Sequence, residues 1–144
     1  MERKRYSATA EQKNGIKSAI AEILVKAEDI HSAYIFGSFI DDDMPFRDID
    51  LGVFFAGNNR LQISEAAVGS ATILSRKTAC PVDVRVLNYA PVAFVYNVLR
   101  GELIYEKNAD TRCQVMEKTV RDYLDIKPIL CQATKEAFAH ESQP

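Results

Sequence analysis

Residues 33–55 contain two short apolar runs joined by a polar loop, and this stretch limits the fold more than any other. The runs are Ala33–Phe36 and Ile49–Phe55, which are rich in aromatic and β-branched residues and are bounded by Gly, Pro and Asp. This composition predicts a strand, a loop and a second strand. Asp48 and Asp50 stand at the start of the second run. Because side chains at i and i+2 share one face of a strand, both carboxylates are predicted to point the same way.

The two aspartates repel one another, and a strand that only needs to fold gains nothing from them. A divalent cation removes the repulsion. Oxygen ligands suit Mg²⁺, which usually takes one or two carboxylates together with water and phosphate oxygens. Gly37 and Ser38, at the end of the first run, fit the other half of such a site, because glycine lets the backbone approach a phosphate and the Ser hydroxyl can donate to it. The stretch is therefore predicted to hold a metal ion and a triphosphate.

GSF at residues 37–39, followed by DID at residues 48–50 between apolar strands, resembles the GS-x-D-x-D signature of the nucleotidyltransferases related to DNA polymerase beta. A short chain with little beyond that core is similar to the minimal nucleotidyltransferase (MNT) group, which includes the MntA-type antitoxins that act beside HEPN-domain toxins. RGELIYE at residues 100–106 resembles the R-G-x-x-L-Y element of small family members. The resemblance thus covers roughly Ala33–Glu106.

A third carboxylate is predicted from the run at residues 81–87, where Asp83 and Arg85 alternate with valines and share one strand face. Without the family, Asp83 is an ordinary outward-facing polar residue; the resemblance makes it the third family carboxylate. Arg85 could contact a phosphate or pair with a carboxylate, and the sequence leaves both open. The resemblance implies these catalytic and metal-binding residues: Asp48, Asp50 and Asp83. It implies this nucleotide-binding pair: Gly37 and Ser38.

The resemblance implies Mg²⁺-dependent transfer of AMP from ATP to a hydroxyl acceptor, with two Mg²⁺ ions and release of pyrophosphate. The acceptor it implies is a Tyr on a partner HEPN-domain toxin, which gives the chain an antitoxin role. Two alternatives remain open. One is a binding module that neutralises a partner by contact without catalysis, and the other is a nucleotidyltransferase for a small molecule of the aminoglycoside type. Only neutralisation by contact would survive loss of Asp48 or Asp50.

Composition limits the partners. The chain has 144 residues, a formal net charge of −2 and a pI near 5.7, which argues against extended binding to a nucleic-acid backbone. No apolar run reaches the length of a membrane span, and the charged start lacks the apolar segment of a signal peptide, so we expect a cytoplasmic protein.

The aspartates at residues 41–43 are interpreted as an exposed loop tip, with extra metal ligation left open.

The remaining patterns predict one domain over residues 1–144, with a core over about 7–106 and C-terminal helices over about 108–140. The fold class is predicted as α+β, close to α/β, with a small mixed β-sheet and helices packed on it in a polymerase beta-type nucleotidyltransferase core.

The last part of the chain is predicted as a helix from Asn108 to about Lys127, a break or kink at Pro128, and a short final helix. Apolar surface on these last helices leaves a homodimer open. The predicted helices and strands occupy the following residues: 7–27 (helix), 33–36 and 49–55 (strands), 61–77 (helix), 81–87 (strand), 91–101 (helix), 103–105 (strand), 108–127 and 129–139 (helices).

Overall fold

The computed structural model describes residues 5–41 and 43–141, and the side chains within them as far as residue 137. These residues form four α-helices and four β-strands, with a short 3-10 turn between the first two strands. Their order confirms the predicted order up to the last helix. The bounds are α1 Ala10–Val25, β1 Ile30–Phe36, the 3-10 turn Ser38–Ile40, β2 Ile49–Phe55, α2 Arg60–Thr78, β3 Val82–Val86, α3 Val92–Leu99, β4 Glu102–Glu106 and α4 Ala109–Glu141.

Helix α1 begins where its capping residues dictate. The Gln12 N–H donates to Thr9 Oγ1 at 3.1 Å, and the Thr9 N–H donates to Gln12 Oε1 at 2.8 Å. This reciprocal capping box satisfies backbone donors that the first turn of a helix leaves unpaired. The helix therefore starts at Ala10, three residues after Ser7, the start that the sequence predicted.

The four strands form one mixed sheet in the order β3-β2-β1-β4. Strand β1 is antiparallel to both of its neighbours, β2 and β4, whereas β2 and β3 are parallel. A parallel pair needs a crossover connection, and α2 provides it. The mixed sheet with helices packed on it confirms the predicted α+β class.

The two faces of the sheet differ in what covers them. The main core contains buried residues of β1 and β2 together with Ile20 and Leu24 of α1 and Leu74 of α2. A smaller cluster on the other face includes Val98 of α3. A Cβ added to Gly52 would lie 2.5 Å from Val98 Cγ1, so Gly52 faces α3. Because side chains alternate along a strand, Asp50 lies on this second face, beyond the cover that α3 gives.

Helix α4 corrects one prediction about the C-terminal part of the chain. It runs without a break from Ala109 to Glu141 through Pro128, so the separate final helix was wrong. Pro128 removes one backbone donor, but the residues around it are exposed and water can satisfy the carbonyl left over. Apolar surface is exposed on α4, as the sequence suggested: Leu124 is 57% exposed, because α4 packs mainly on the short helix α3. Among the described helices, α4 included, none has both the length and the apolar character that crossing a bilayer requires.

Candidate active site

Strand register brings the predicted carboxylates together. Asp50 on β2 is the direct neighbour of Asp83 on β3. The Ile49 N–H donates to the Pro81 carbonyl at 2.8 Å, which holds the start of β2 beside the start of β3. Asp48, Asp50 and Asp83 line one open cleft of about 370 Å³. The three carboxylates predicted from separate parts of the sequence therefore share one cavity.

The end of β1 lies beside Asp50, one of the residues that line the cleft. Phe36 pairs with Asp50 across the antiparallel ladder. Its ring packs edge-to-face on Phe94 of α3, with 5.7 Å between centroids. Aromatic pairs of this geometry stabilise the contact beyond the area that they bury. Helix α3 thus fixes the end of β1 directly beside Asp50.

Burial and like charge act together on Asp50. Desolvation raises the pKa of its carboxyl group above the ordinary value of 3.8, and the charges of Asp83 and Asp48 raise it further. Arg85 opposes the shift. Ionised Asp50 is therefore under electrostatic repulsion that a bound cation would remove, which is typical of a cluster built to bind one.

Gly37 touches the acidic cluster directly. Its φ of 82° and ψ of −163° lie in a region that is essentially restricted to glycine. A Cβ added there would lie 2.6 Å from Asp50 Oδ2. The sequence predicted Gly37 for close approach to a phosphate, and the structure adds a second need, which is room for a carboxylate. Ser38 follows at the start of the 3-10 turn, where its side chain is exposed.

Arg85 pairs with a carboxylate in this structure, which is one of the two roles that the sequence left open. Its Nε lies 3.0 Å from Asp83 Oδ2, and both side chains are substantially exposed, at 61% and 44%. Among the residues that the structure describes, no three His, Cys, Asp or Glu side chains are arranged to hold a metal ion. The donor set of three carboxylates nonetheless fits a hard cation such as Mg²⁺. Completing such a site requires the carboxylates to come closer together than they lie here.

The acidic loop stays outside the cleft. Asp41 and Asp43 are exposed and do not line the cavity. The Asp43 N–H donates to Asp41 Oδ1 at 3.1 Å, so that this carboxylate stabilises its own loop. The interpretation as an exposed loop tip is confirmed for these two residues, while Asp42 lies outside the described residues.

One residue near the site escaped the sequence analysis. Lys13 of α1 is completely buried, and its Nζ donates to two carbonyls of the loop that joins β1 to β2. A signal was present, since Lys13 stands three and seven residues before Ile16 and Ile20, on the apolar stripe of α1. A lysine within such a stripe indicates a buried ammonium group that needs acceptors.

Comparison with known families decides the membership of the chain. The sequence profile described as "Polymerase beta, Nucleotidyltransferase" matches residues 18–110, which is more than half of the 144 residues. The chain belongs to this family. The match runs from the second half of α1 to the start of α4 and includes every residue predicted for the site. The resemblance based on GSF and DID is thereby confirmed at the level of the polymerase beta nucleotidyltransferase family.

Solved structures support the same fold. A chain from the complex of tri-AMPylated Shewanella oneidensis HEPN toxin with MNT antitoxin aligns with a TM-score of 0.62 and 19% identity, over 90% of this chain and 97% of that one. The MntA-HepT toxin-antitoxin structure gives 0.58 and 19%, over 91% and 96%. A toxin-antitoxin structure with AMP-PNP gives 0.62 and 19%, over 88% and 96%. At identities this low, the structural alignments establish a shared fold and nothing finer. Comparison with curated proteins gave no match.

Proposed function

We propose that this polymerase beta nucleotidyltransferase family member transfers AMP from ATP to a hydroxyl group of a partner protein, using Mg²⁺. The observation that carries the proposal is the convergence of Asp48, Asp50 and Asp83 in one cleft at the junction of β2 and β3. The partner we propose is a HEPN-type toxin modified on a Tyr, which makes the chain a cytoplasmic antitoxin. Support for AMP and for this partner comes from the similar solved structures, which include a tri-AMPylated HEPN toxin and an AMP-PNP complex.

The nucleotide is proposed to enter with its phosphates along the end of β1. Gly37 has no side chain to obstruct them, and the Ser38 hydroxyl, exposed at the start of the turn, can donate to the β- or γ-phosphate oxygens. The short distance between Gly37 and the Asp50 carboxylate would bring the triphosphate and the acidic cluster into contact. Positioning of this kind accounts for much of the rate gain in phosphoryl and nucleotidyl transfer.

The acidic residues have separate tasks in the proposed reaction. Asp48 and Asp50 would hold Mg²⁺, with Asp83 as the third ligand. When bound, Mg²⁺ neutralises charge on the phosphates and lowers the pKa of a coordinated hydroxyl. Asp83 lies at the exposed edge of the cleft, with its side chain 44% accessible, so it is the carboxylate that an incoming acceptor meets. It would orient the acceptor hydroxyl and take its proton.

The bond changes are those of an in-line displacement. The acceptor oxygen attacks the α-phosphorus of ATP, and the bond from that phosphorus to the oxygen bridging to the β-phosphate breaks. Pyrophosphate leaves with the bonding electron pair, and the hydroxyl proton passes to Asp83 and then to solvent. Arg85, whose side chain is 61% exposed beside Asp83, would be available to pair with the departing phosphates.

Label transfer from α-labelled ATP tests the proposal. The wild type, incubated with Mg²⁺ and a desalted extract of the source cells, should label a protein band that Asp50→Asn does not label. Asp122→Asn is the matched control, because Asp122 makes an exposed ion pair with Lys118 and its side chain is 43% accessible. It should label the band as the wild type does. Mass spectrometry of the band then identifies the acceptor residue.

The outcomes separate the competing functions. A labelled small molecule, obtained only when candidate hydroxyl compounds are added, would replace the protein acceptor by an aminoglycoside-type one. Partner neutralisation that survives Asp50→Asn without any label would support the contact-only module, for which the exposed apolar side chains of α4, such as Leu124 and Ile129, offer a surface. Equal labelling by the wild type and a folded Asp50→Asn protein would refute the assignment of Asp50.

A further inference from the structure

Lys13 is a completely buried lysine whose acceptors are all on one loop. Its Nζ donates to the Asp41 carbonyl at 2.5 Å and to the Met44 carbonyl at 3.0 Å. The Met44 N–H also donates to the Asp41 carbonyl, at 3.2 Å. The loop thus closes on itself around the ammonium group. Hydrogen bonds from a charged donor are about twice as strong as neutral ones, so these contacts hold the loop firmly.

Two aromatic rings complete the enclosure. The ammonium nitrogen lies 5.4 Å from the centroid of Phe39 and 5.5 Å from that of Phe46. These rings pack edge-to-face on one another, with 4.8 Å between centroids, and both are buried. A cation within about 6 Å of an aromatic face is attracted to it, and more strongly where water is excluded. Lys13 therefore contacts the loop at both its beginning and its end.

The position of this loop in the chain connects Lys13 to the site. Phe39 follows Ser38 directly, and Phe46 lies two residues before Asp48. Whatever fixes these rings also fixes the distance between the predicted phosphate-binding turn and the first carboxylate. Lys13 touches neither the cleft nor its carboxylates in this structure. Its effect on the site has to pass through the loop.

The hydrogen bonds of Lys13 hold one particular conformation of the loop, because both acceptors are loop carbonyls. Buried charged groups are weak evidence for stability, and in some proteins they are retained because they specify one conformation. We propose that Lys13 is a positioning residue, which orders residues 38–41 and 43–46 of the loop between β1 and β2 before substrate arrives and so sets the geometry of Ser38 relative to Asp48. This inference rests on the proposed nucleotidyltransferase function for its consequence, whereas the ordering of the loop can be measured without it.

Hydrogen exchange in Lys13→Met and Lys17→Met tests the ordering. Lys17 is one turn along α1, is 14% exposed and pairs with Glu102 on β4, so its loss removes the same charge without touching the loop. Lys13→Met should speed amide exchange in peptides covering residues 38–46 by at least about tenfold, which corresponds to about 1.4 kcal/mol of local opening. Lys17→Met should leave those peptides unchanged.

Binding and kinetics test the consequence. Affinity for Mg²⁺ with AMP-PNP, measured by calorimetry, should fall about tenfold or more in Lys13→Met at a temperature well below its Tm, and KM for ATP should rise accordingly. Lys17→Met should retain wild-type affinity. Lys13→Arg keeps charged donors and should recover part of the affinity lost in Lys13→Met. A role limited to stability would lower Tm without raising KM in the folded protein.

If Lys13→Met does not fold, amide hydrogen exchange measured in the wild type still tests the inference. Peptides over residues 38–46 should be protected in the nucleotide-free wild type; free exchange there would overturn the inference without any variant. The inference would also be overturned if folded Lys13→Met protein had the same amide exchange rates and the same affinity for Mg²⁺ with AMP-PNP as the wild type, even if AMP transfer proceeds. Conversely, protection of the loop and its loss in Lys13→Met would sustain the ordering role even if no AMP transfer were found, in which case the proposed function alone would fail.

Discussion

Replacing Gly37 by Ala tests the link between the end of β1 and the acidic cluster. The added Cβ would stand 2.6 Å from Asp50 Oδ2, where ordinary van der Waals contact begins at 3.4 Å, so the carboxylate or the backbone has to move by about 0.8 Å. A displacement near 1 Å in a catalytic group can lower the rate by roughly 10²-fold. The φ of 82° adds backbone strain of about 1–3 kcal/mol. We therefore expect a fall in both rate and stability.

Gly57→Ala separates the two effects. Gly57 also has a positive φ, of 86°, but a Cβ added there meets nothing within 4 Å. Both variants should lower Tm, by roughly 3–12 °C if the strain is 1–3 kcal/mol. Only Gly37→Ala should lower the rate of AMP transfer, by about 10²-fold. Thermal unfolding and initial rates with α-labelled ATP measure the two quantities. Transfer by Gly37→Ala at the rate of Gly57→Ala would refute the proposed steric coupling to Asp50.

Three further variants have defined outcomes. Because the folded state raises the pKa of Asp50, ionising this group opposes folding, and Asp50→Asn should raise the Tm of metal-free protein near pH 7. The gain in Tm should vanish as the pH falls toward the unfolded-state pKa of 3.8. No gain in Tm at pH 7 would count against the acidic cluster. Arg85→Gln releases Asp83 and should lower the Mg²⁺ concentration for half-saturation, up to about fivefold, in a calorimetric titration, whereas Lys118→Gln should not. Thr9→Ala removes the cap of α1 and should lower the free energy of unfolding by about 1 kcal/mol, measured in urea, without changing the transfer rate.

The sequence predicted the sheet well because its signals are local. The bounds of β2, Ile49–Phe55, were predicted as they occur, since the run is bounded by charge on one side and Gly57 on the other. Thr9 and Gln12, which form the capping box of α1, are likewise only three residues apart. The face shared by Asp48 and Asp50 follows from strand alternation alone. The pairing of Asp50 with Asp83 depends on which strands become neighbours, and only the family resemblance suggested it before the register was known.

The features that the sequence did not predict depend on tertiary contacts. The helix through Pro128 continues because its surroundings are exposed, whereas a buried proline at this position would leave a carbonyl unpaired. The helical spacing of Lys13 indicates its burial, but its acceptor lies on a loop 28 residues further along the chain, to which no local pattern connects it. The second need for Gly37, room for the Asp50 carboxylate, arises from the antiparallel register of β1 and β2.

The position of the label in ATP tests the central proposal most directly. The wild type, Mg²⁺ and the purified acceptor should give a labelled acceptor from α-labelled ATP and none from γ-labelled ATP, whose label should appear only in pyrophosphate. Asp48→Asn, Asp50→Asn and Asp83→Asn should each abolish both signals, while Asp122→Asn should preserve them. Label entering the acceptor from the γ-position would indicate phosphoryl transfer instead, and undiminished α-label transfer by the three folded variants would contradict the catalytic role of the acidic cluster.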